Sequence, residues 1–327
     1  MPLRVLSAED VRRHLTYDVC VPLVRDAMIA LSKGTTQQFL RQIMMRRGGR
    51  GMFGMMGGEM GDGQAFGSKL LSVPLGALPE GVRSHEGVIV LFDGPRATPA
   101  CVLPAADVTV IRTAAASAVA TDALARTDST RLAVLGTGEQ AEAHVLAICR
   151  VRPIRSVVIW GRTSEKARAV AERLTHETGQ PVTAASDVRT AVADADIICT
   201  VTAAADPVLL GKWVAPGTHI NAVGSSRAGP AEIDNDLVAR SRFFADHRES
   251  VLKQGAEFIR AREAGLIDET HLLAEIGEVL AGAAKGRLTS NDITIYKSLG
   301  NIVQDLASAT FLYALAERQA IGTSVAF

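Results

Sequence analysis

Arg131-Leu-Ala-Val-Leu-Gly136-Thr137-Gly138-Glu139-Gln140-Ala141 decides the fold. An apolar run leads into two glycines one residue apart, and an alanine follows three places later. The stretch reads as a strand, a tight turn and a helix start in the pattern GxGxxA. Gly136 permits the turn, Gly138 admits a pyrophosphate to the backbone, and Ala141 lets the helix pack close to the strand. The phosphates then meet the unpaired N–H groups and the positive dipole end of the helix. Alone, such a motif is a weak signal. Here it heads a series of alternating strands and helices, and that context makes it a dinucleotide site.

Working outward, residues 157–160, 182–185, 197–201 and 219–223 are further short apolar runs separated by helical or loop sequence. Strands alternating with helices predict a parallel, doubly wound α/β sheet with right-handed crossovers. The N-terminal part has a different texture. Ser7-Ala-Glu-Asp10 resembles a capping box opening a short helix, and residues 21–32 predict a second helix ending at Gly34. Apolar runs at 65–73, 87–92 and 99–103 are bounded by turn residues, which predicts an antiparallel sheet. Residues 111–126 read as a helix. Residues 300–318 read as another, with Ile302, Val303, Leu306, Phe311 and Leu315 apolar, returning to pack on the first domain. Methionines between 44 and 63 read as flexible core filler.

A chain of 327 residues is long enough for two domains. Lys+Arg and Asp+Glu both number 35, so the formal net charge is zero. That balance argues against nucleic acid or an anionic membrane as partner, since both select a basic excess. Arg46, Arg47 and Arg50 read as a solvated hairpin beside glycines. Cys20, Cys101, Cys149 and Cys199 form no CxxC pair, and three lie in apolar stretches, so they read as free thiols in a reducing compartment. No signal peptide is evident, and the alanine-rich run at 113–125 is too short and too polar to span a membrane. A cytoplasmic location is expected.

The second strand of the series bears on the cofactor. NAD enzymes usually end it with Asp or Glu, about 20 residues past the glycines, to bind the ribose hydroxyls. Here it ends Ile159-Trp160-Gly161-Arg162-Thr163-Ser164. No carboxylate repels a 2′-phosphate, while Arg162 and two hydroxyls can bind one. NADPH is expected over NADH.

Phe66-Gly-Ser-Lys69, Ser84-His85, Ile111-Arg112-Thr-Ala-Ala-Ala-Ser117, the Gly136–Gly138 turn and Gly217-Thr-His-Ile-Asn-Ala-Val-Gly224 occur in this order. Glu275-Ile-Gly-Glu278 and Tyr296-Lys-Ser-Leu-Gly300, with Asp305 beyond, follow. In that combination the chain resembles the ornithine cyclodeaminase/mu-crystallin family over nearly its whole length. The resemblance implies a Rossmann domain, residues 126–297, inserted in a discontinuous α+β domain of residues 1–125 and 298–327 that binds substrate and forms a homodimer. It also implies a substrate-carboxylate clamp of Arg41, Lys69 and Arg112. For Lys69 and Arg112 the sequence agrees independently, because a cation within an apolar stretch is costly unless an anion meets it. Cofactor contacts are implied at Ser84, His85, Arg112, Gly136, Thr137, Gly138, Glu139, Gln140, Arg162, Thr163, Thr202, Val223 and Ser298.

One loop divides the family by chemistry. Cyclodeaminases carry Asp at the position of Ser226, whereas Gly224-Ser225-Ser226-Arg227 resembles the ketimine reductase branch. A serine hydroxyl cannot replace a carboxylate base without a helper. The expected reaction is therefore NADPH-dependent reduction of Δ1-pyrroline-2-carboxylate or Δ1-piperideine-2-carboxylate. Lys69 and Arg112 serve it directly; the imine either arrives protonated from water or takes its proton from Lys69 or from a water held by Ser226 or His85. Rival readings are ornithine cyclodeaminase, an alanine-type dehydrogenase, an opine-like synthase and a protein that stores NADPH with a small acid. Glu232 and Asp234 read as N-terminal helix caps. Glu275 and Glu278 lack a His at ligand spacing and read as a solvated face or an ion pair, so no metal is expected.

Overall fold

The computed structural model describes residues 2–74, 83 and 85–327. Two compact units result: Met1–Arg112 with Asn301–Phe327, and Thr113–Gly300. The sequence reading puts the first crossing after residue 125; in the structure it falls inside a helix, between Arg112 and Thr113.

The first unit runs β1 (Leu3–Val5), α1 (Ala8–His14), α2 (Tyr17–Ser32), β2 (Gln37–Gln38), β3 (Gln42–Met45), β4 (Met52–Glu59), β5 (Phe66–Val73), β6 (Glu86–Asp93) and β7 (Thr98–Pro104). It continues into α3 (Ala105–Leu124), which leads to the second unit. There follow β8 (Arg131–Leu135), α4 (Glu139–Ile148), β9 (Ser156–Trp160), α5 (Ser164–Thr178), β10 (Val182–Ala184), α6 (Val188–Val192), β11 (Ile197–Thr200) and β12 (His219–Ala222). Next come α7 (Asn235–Ala239), β13 (Arg242–Ala245), α8 (Arg248–Gln254), α9 (Ala256–Glu263), β14 (Leu272–Glu275), α10 (Ile276–Leu280) and β15 (Thr294–Lys297). The chain returns to the first unit as α11 (Ile302–Gln319) and β16 (Thr323–Val325).

In the first unit the sheet order is β16-β1-β7-β6-β5-β4-β2, with β3 added on β4. Its pairs are antiparallel except β1 with β7. The register sets Lys69 of β5 opposite Met56 of β4 and Ile89 of β6. Successive strand residues alternate faces, so Gly67 and Lys69 share the buried face. Helix α11 lies across it. A Cβ on Gly58 would stand 2.7 Å from the Ile302 side chain, and one on Gly67 3.1 Å from Leu306. Missing side chains on the strands thus let the helix settle close to the sheet. On its other flank, Val303 and Ala307 pack against Ala27 and Leu31 of α2. The helix at 300–318 therefore packs as its sequence foretells.

The second unit is wholly parallel, in the order β10-β9-β8-β11-β12-β15-β13-β14. Starting from β8, this is the 3-2-1-4-5 order of a dinucleotide fold with further strands added at one edge. Its core gathers Leu135, Ile198, Ile220, Phe243, Leu272 and Ile295 from six strands.

Several expectations need correction. In the second unit β13, β14 and β15 escaped the reading, because each is only four residues long and carries Arg, Glu, Thr or Lys among its apolar positions; in the first unit β1 to β4 and β16 were not delimited. Helix α2 begins at Tyr17, not residue 21, and α3 at Ala105, not residue 111. Met56 is buried core, but Met44 and Met45 are 60% and 59% exposed, so core filling does not explain them. The Ser7 capping box forms. All four cysteines are free, and Cys20, Cys101 and Cys199 are buried. Among the described residues no helix is long and apolar enough to cross a membrane.

Candidate active site

Each unit carries one part of the candidate chemistry. In the second, β8 ends in Gly136, whose φ of 142° lies where L side chains strain. Its N–H donates to the Trp160 carbonyl at 2.8 Å, and a Cβ there would meet Val201, just past the end of β11. Gly138, the N-cap of α4, is different: nothing lies within 4 Å of where its Cβ would stand, and no side chain caps the helix. The N-cap of α4 thus has no capping side chain and open space at its Cα, an arrangement that fits a pyrophosphate. Ala141 is fully buried beneath the turn.

His144, one turn into α4, holds this helix start from below. Its Nδ1 lies 2.7 Å from the Gln140 carbonyl, which can only accept, so Nδ1 carries the proton. Nε2 then accepts from the Ser117 hydroxyl at 2.9 Å, which gives the serine of Arg112-Thr-Ala-Ala-Ala-Ser117 a physical role. Burial pushes the pKa of His144 down to about 4. His219 in β12, bonded to Thr294 and Asn221, is pushed by burial to about 3.

At the carboxyl ends of β11 and β12 the buried Glu232 ties two loops together. Its Oε1 accepts from the Thr202 amide at 2.6 Å and the Thr202 hydroxyl at 2.7 Å. Oε2 accepts from Gly224 N at 2.6 Å and the Thr200 hydroxyl at 2.8 Å. Glu232 is therefore not a helix cap: four donors saturate it. Asp234 does cap α7, accepting from Leu237 N at 3.0 Å. Nearby, Lys297 and Glu257 form a fully buried ion pair at 2.8 Å. In the loop after β12 the Ser225 hydroxyl is bound to the Pro230 carbonyl, while Ser226 is half-buried. The Thr202 hydroxyl donates to Glu232 and accepts from Ala204 N at 3.1 Å, so it has no proton left to donate to a ligand. Ser298 is buried, with no hydrogen-bond partner for its hydroxyl among the described residues.

The first unit holds a cationic cluster. Lys69 Nζ lies 2.8 Å from Asp305 Oδ1, and Arg112 Nε lies 3.0 Å from the same oxygen. Arg112 NH1 also donates to Gln304 Oε1 at 2.9 Å. Lys69 and Asp305 have no exposed side-chain surface, and Arg112 retains 4%. Arg41 is half-buried and within electrostatic reach of Lys69. Burial drives Lys69 down to about 7 despite the stabilising charge of Asp305. For Asp305 burial acts upward, but Arg112 and Lys69 outweigh it and hold the carboxyl below its ordinary value.

A model of the ornithine cyclodeaminase/mu-crystallin family matches residues 3–320. The chain belongs to that family. It is 34% identical to ketimine reductase mu-crystallin of Mus musculus over 312 residues, 94% of this chain and 96% of that protein. With the Delta(1)-pyrroline-2-carboxylate reductase of Bacillus cereus it shares 34% over 265 residues, 81% of each chain. Thermococcus litoralis Delta(1)-pyrroline-2-carboxylate reductase, solved with NADH and L-proline, superposes with a TM-score of 0.95 at 31% identity, covering 98% of this chain and 100% of that one.

Set beside the expectations drawn from this family, Lys69 and Arg112 come together on one carboxylate, with Arg41 near them. His85 is exposed but within electrostatic reach of Lys69, Arg41 and Arg112. Thr137 and Gln140 are half-exposed at the glycine turn; Glu139, Arg162 and Thr163 are exposed. Val223 is buried after β12, and Ser84 lies outside the described residues. Glu275 and Glu278 form a capping box on α10, and Glu278 also pairs with Arg248 at 3.9 Å, so the ion-pair reading holds and the solvated face does not; no metal-ligand group occurs among the described residues. Sequence reasoning missed roles for Gln304 and Asp305. The available signal was phase: Asp305 falls three residues after Ile302 and four before Ala309, on the buried stripe of α11.

Both buried histidines are neutral in the fold, whereas an unfolded histidine has a pKa of about 6.5. Their folded pKa values are depressed, so the stability they support is present above about pH 6.5 and is lost as pH falls toward 4. At pH 5 each should cost roughly 2 kcal/mol relative to neutrality, about 1.5 pH units at about 1.36 kcal/mol each. The melting temperature should therefore fall between pH 7 and 5, and a His144→Gln/His219→Gln double variant should lose most of that dependence. A double variant whose melting falls as steeply as the parent's contradicts this assignment.

Proposed function

We propose that this oxidoreductase reduces the C=N bond of cyclic ketimine acids, Δ1-pyrroline-2-carboxylate to L-proline and Δ1-piperideine-2-carboxylate to L-pipecolate, with NADPH as reductant. The observation that carries the reading is the cluster in the first unit: Lys69 and Arg112 share a single buried carboxylate, and Arg41 adds a third cation. Cations in excess of anions in a buried place favour an anionic ligand, and a substrate carboxylate supplies it. The names of the mu-crystallin and pyrroline-carboxylate relatives support the same substrate class.

Bound NADPH supplies the hydride for the imine carbon. The chain's own residues do the rest. The Gly136–Gly138 turn and the amides of α4 hold the pyrophosphate; Lys69, Arg112 and Arg41 fix the carboxylate and thereby the ring. With a pKa near neutrality, Lys69 can hold a proton or give one up toward the ring nitrogen. Ser226, half-buried, can hold a water. Glu232 and Asp234, acids near this loop, are committed to structural bonds, which argues against either as the base that cyclodeamination needs.

The NADPH preference rests on Arg162 and Thr163, both exposed at the end of β9, where Thr163 makes no cap bond of its own. The Thermococcus litoralis relative was solved with NADH, so the preference stands on those residues alone. We also assign a homodimer to the first unit, where Phe39, Ile43, Met44, Met45 and Phe53 leave apolar surface exposed around β3 and β4. Light scattering should return twice the chain mass; a monomer at micromolar concentration contradicts the dimer.

The test of function is cofactor oxidation by purified protein with the two cyclic imines, with pyruvate plus ammonia, and with L-ornithine as a separate NAD⁺-dependent arm. Imine reduction should dominate, and ornithine should release no ammonia at a comparable rate. Lys69→Ala and Arg112→Ala should each lower kcat/KM by orders of magnitude, while normal kinetics in either would put the carboxylate site elsewhere. Arg162→Asp should weaken NADPH use at least about tenfold, since a charge-assisted contact contributes about 1.5–3 kcal/mol. Equal efficiency with NADH and NADPH in the parent protein would remove the cofactor assignment.

A further inference from the structure

We infer that Asp305 is a positioning residue for the imine reduction: its carboxylate keeps Lys69 protonated and holds Lys69 and Arg112 side by side to receive the substrate carboxylate. The functional meaning rests on the reaction proposed above, but the electrostatic content concerns Lys69 itself and can be measured without it.

The geometry is specific. One oxygen of Asp305 binds both cations, at 2.8 Å and 3.0 Å, and its other oxygen has no hydrogen-bond partner among the described residues. The neighbouring Gln304 turns its side-chain oxygen to Arg112 and so fixes the guanidinium from a second point on α11. Cross-strand pairing fixes the Lys69 backbone, and Arg112 rides on α3. The carboxylate is thus the one group that joins three elements, all with their side chains out of water.

Charge accounting gives Asp305 its role. The charged groups acting on Lys69 are Asp305 from α11, Arg112 from α3 and Arg41 from the segment before β3. His85, ahead of β6, also faces the cluster, while Arg83 is paired with Asp107 at 3.0 Å. Among these groups Asp305 is the single anion facing Lys69. Burial and two guanidiniums all favour the neutral amine, and even with the carboxylate present Lys69 sits at about 7. Removing that negative charge leaves nothing to oppose them. Lys69 then loses its proton below neutrality and can no longer offer a charge to the substrate.

Lysine-labelled NMR of the full chain, with the Lys69 signal identified by its loss in Lys69→Met, reads this directly. In Asp305→Asn the Lys69 titration should move down by about one pH unit or more, the usual effect of a close opposite charge. In Arg112→Gln, which removes a like charge, it should move up. Asp305→Glu should restore a value near the parent's. Kinetically, the high-pH limb of kcat/KM should shift down with Asp305→Asn, giving about a tenfold loss at pH 8 that is smaller at pH 6.

An unshifted Lys69 in Asp305→Asn, or shifts of the same sign in both variants, overturns the inference. Should Asp305→Asn fail to fold, Arg112→Gln decides alone: an upward shift supports the charge assignment and any other result overturns it. Opposite titration shifts in a protein that reduces no imine would uphold the electrostatic role of Asp305 and reject the proposed reaction. Imine reduction with an unmoved Lys69 would do the reverse.

Discussion

A single carboxylate oxygen shared by two buried cations is the constraint on which the first unit depends. Lys69 and Asp305 are removed from water, and Arg112 nearly so. Burying such charges costs several kcal/mol each, and the cost is offset only when all partners arrive together. Deleting one partner of a buried pair typically costs about 3–5 kcal/mol, because the others are stranded. Asp305 reaches the cluster only because the chain comes back from the second unit as α11. The discontinuity of the first unit is therefore tied to its chemistry. The glycines of β4 and β5 serve the same end, since side chains there would hold α11 off the strand that carries Lys69.

The second unit repeats the device with carboxylates that bind backbone amides. Glu232 pins Thr202 and Gly224. Asp246 accepts from His247, Leu299 and Gly300, fixing the chain where it leaves this unit. Asp196 accepts from Thr130 and Arg131 at the start of β8. Loops beside a dinucleotide cannot fill their amides with helix or sheet bonds, and a carboxylate with several lone pairs satisfies more than one of them at a time. These bonds fix the loop backbones in the unit that carries the glycine turn.

How much of this was legible depends on the range of the signal. The GxGxxA turn and strands β5 to β12 announce themselves through local hydrophobic periodicity, which short-range backbone geometry enforces. Strands β13 to β15 did not, because four-residue strands with polar positions lack a period to detect. Asp305 was visible only as an acid on the apolar stripe of α11; its partners lie 236 and 193 residues away in sequence, beyond any local rule. Glu232 was misread as a cap for a related reason. Its place shortly before a helix matched the local statistic, but its bonds go to the strands β11 and β12 and their loops.

Ser226 and Arg162 bear on substrate and cofactor, and the cationic cluster bears on the carboxylate. Together they carry the proposal of a reductase that orients an anionic cyclic imine and lets a dinucleotide do the reduction. Isotope transfer tests this most directly. With NADPH carrying deuterium at the transferable C4 position and unlabelled Δ1-pyrroline-2-carboxylate, the account predicts L-proline bearing one deuterium at Cα, released in step with cofactor oxidation. Cofactor oxidation that yields no Cα-deuterated proline would contradict it.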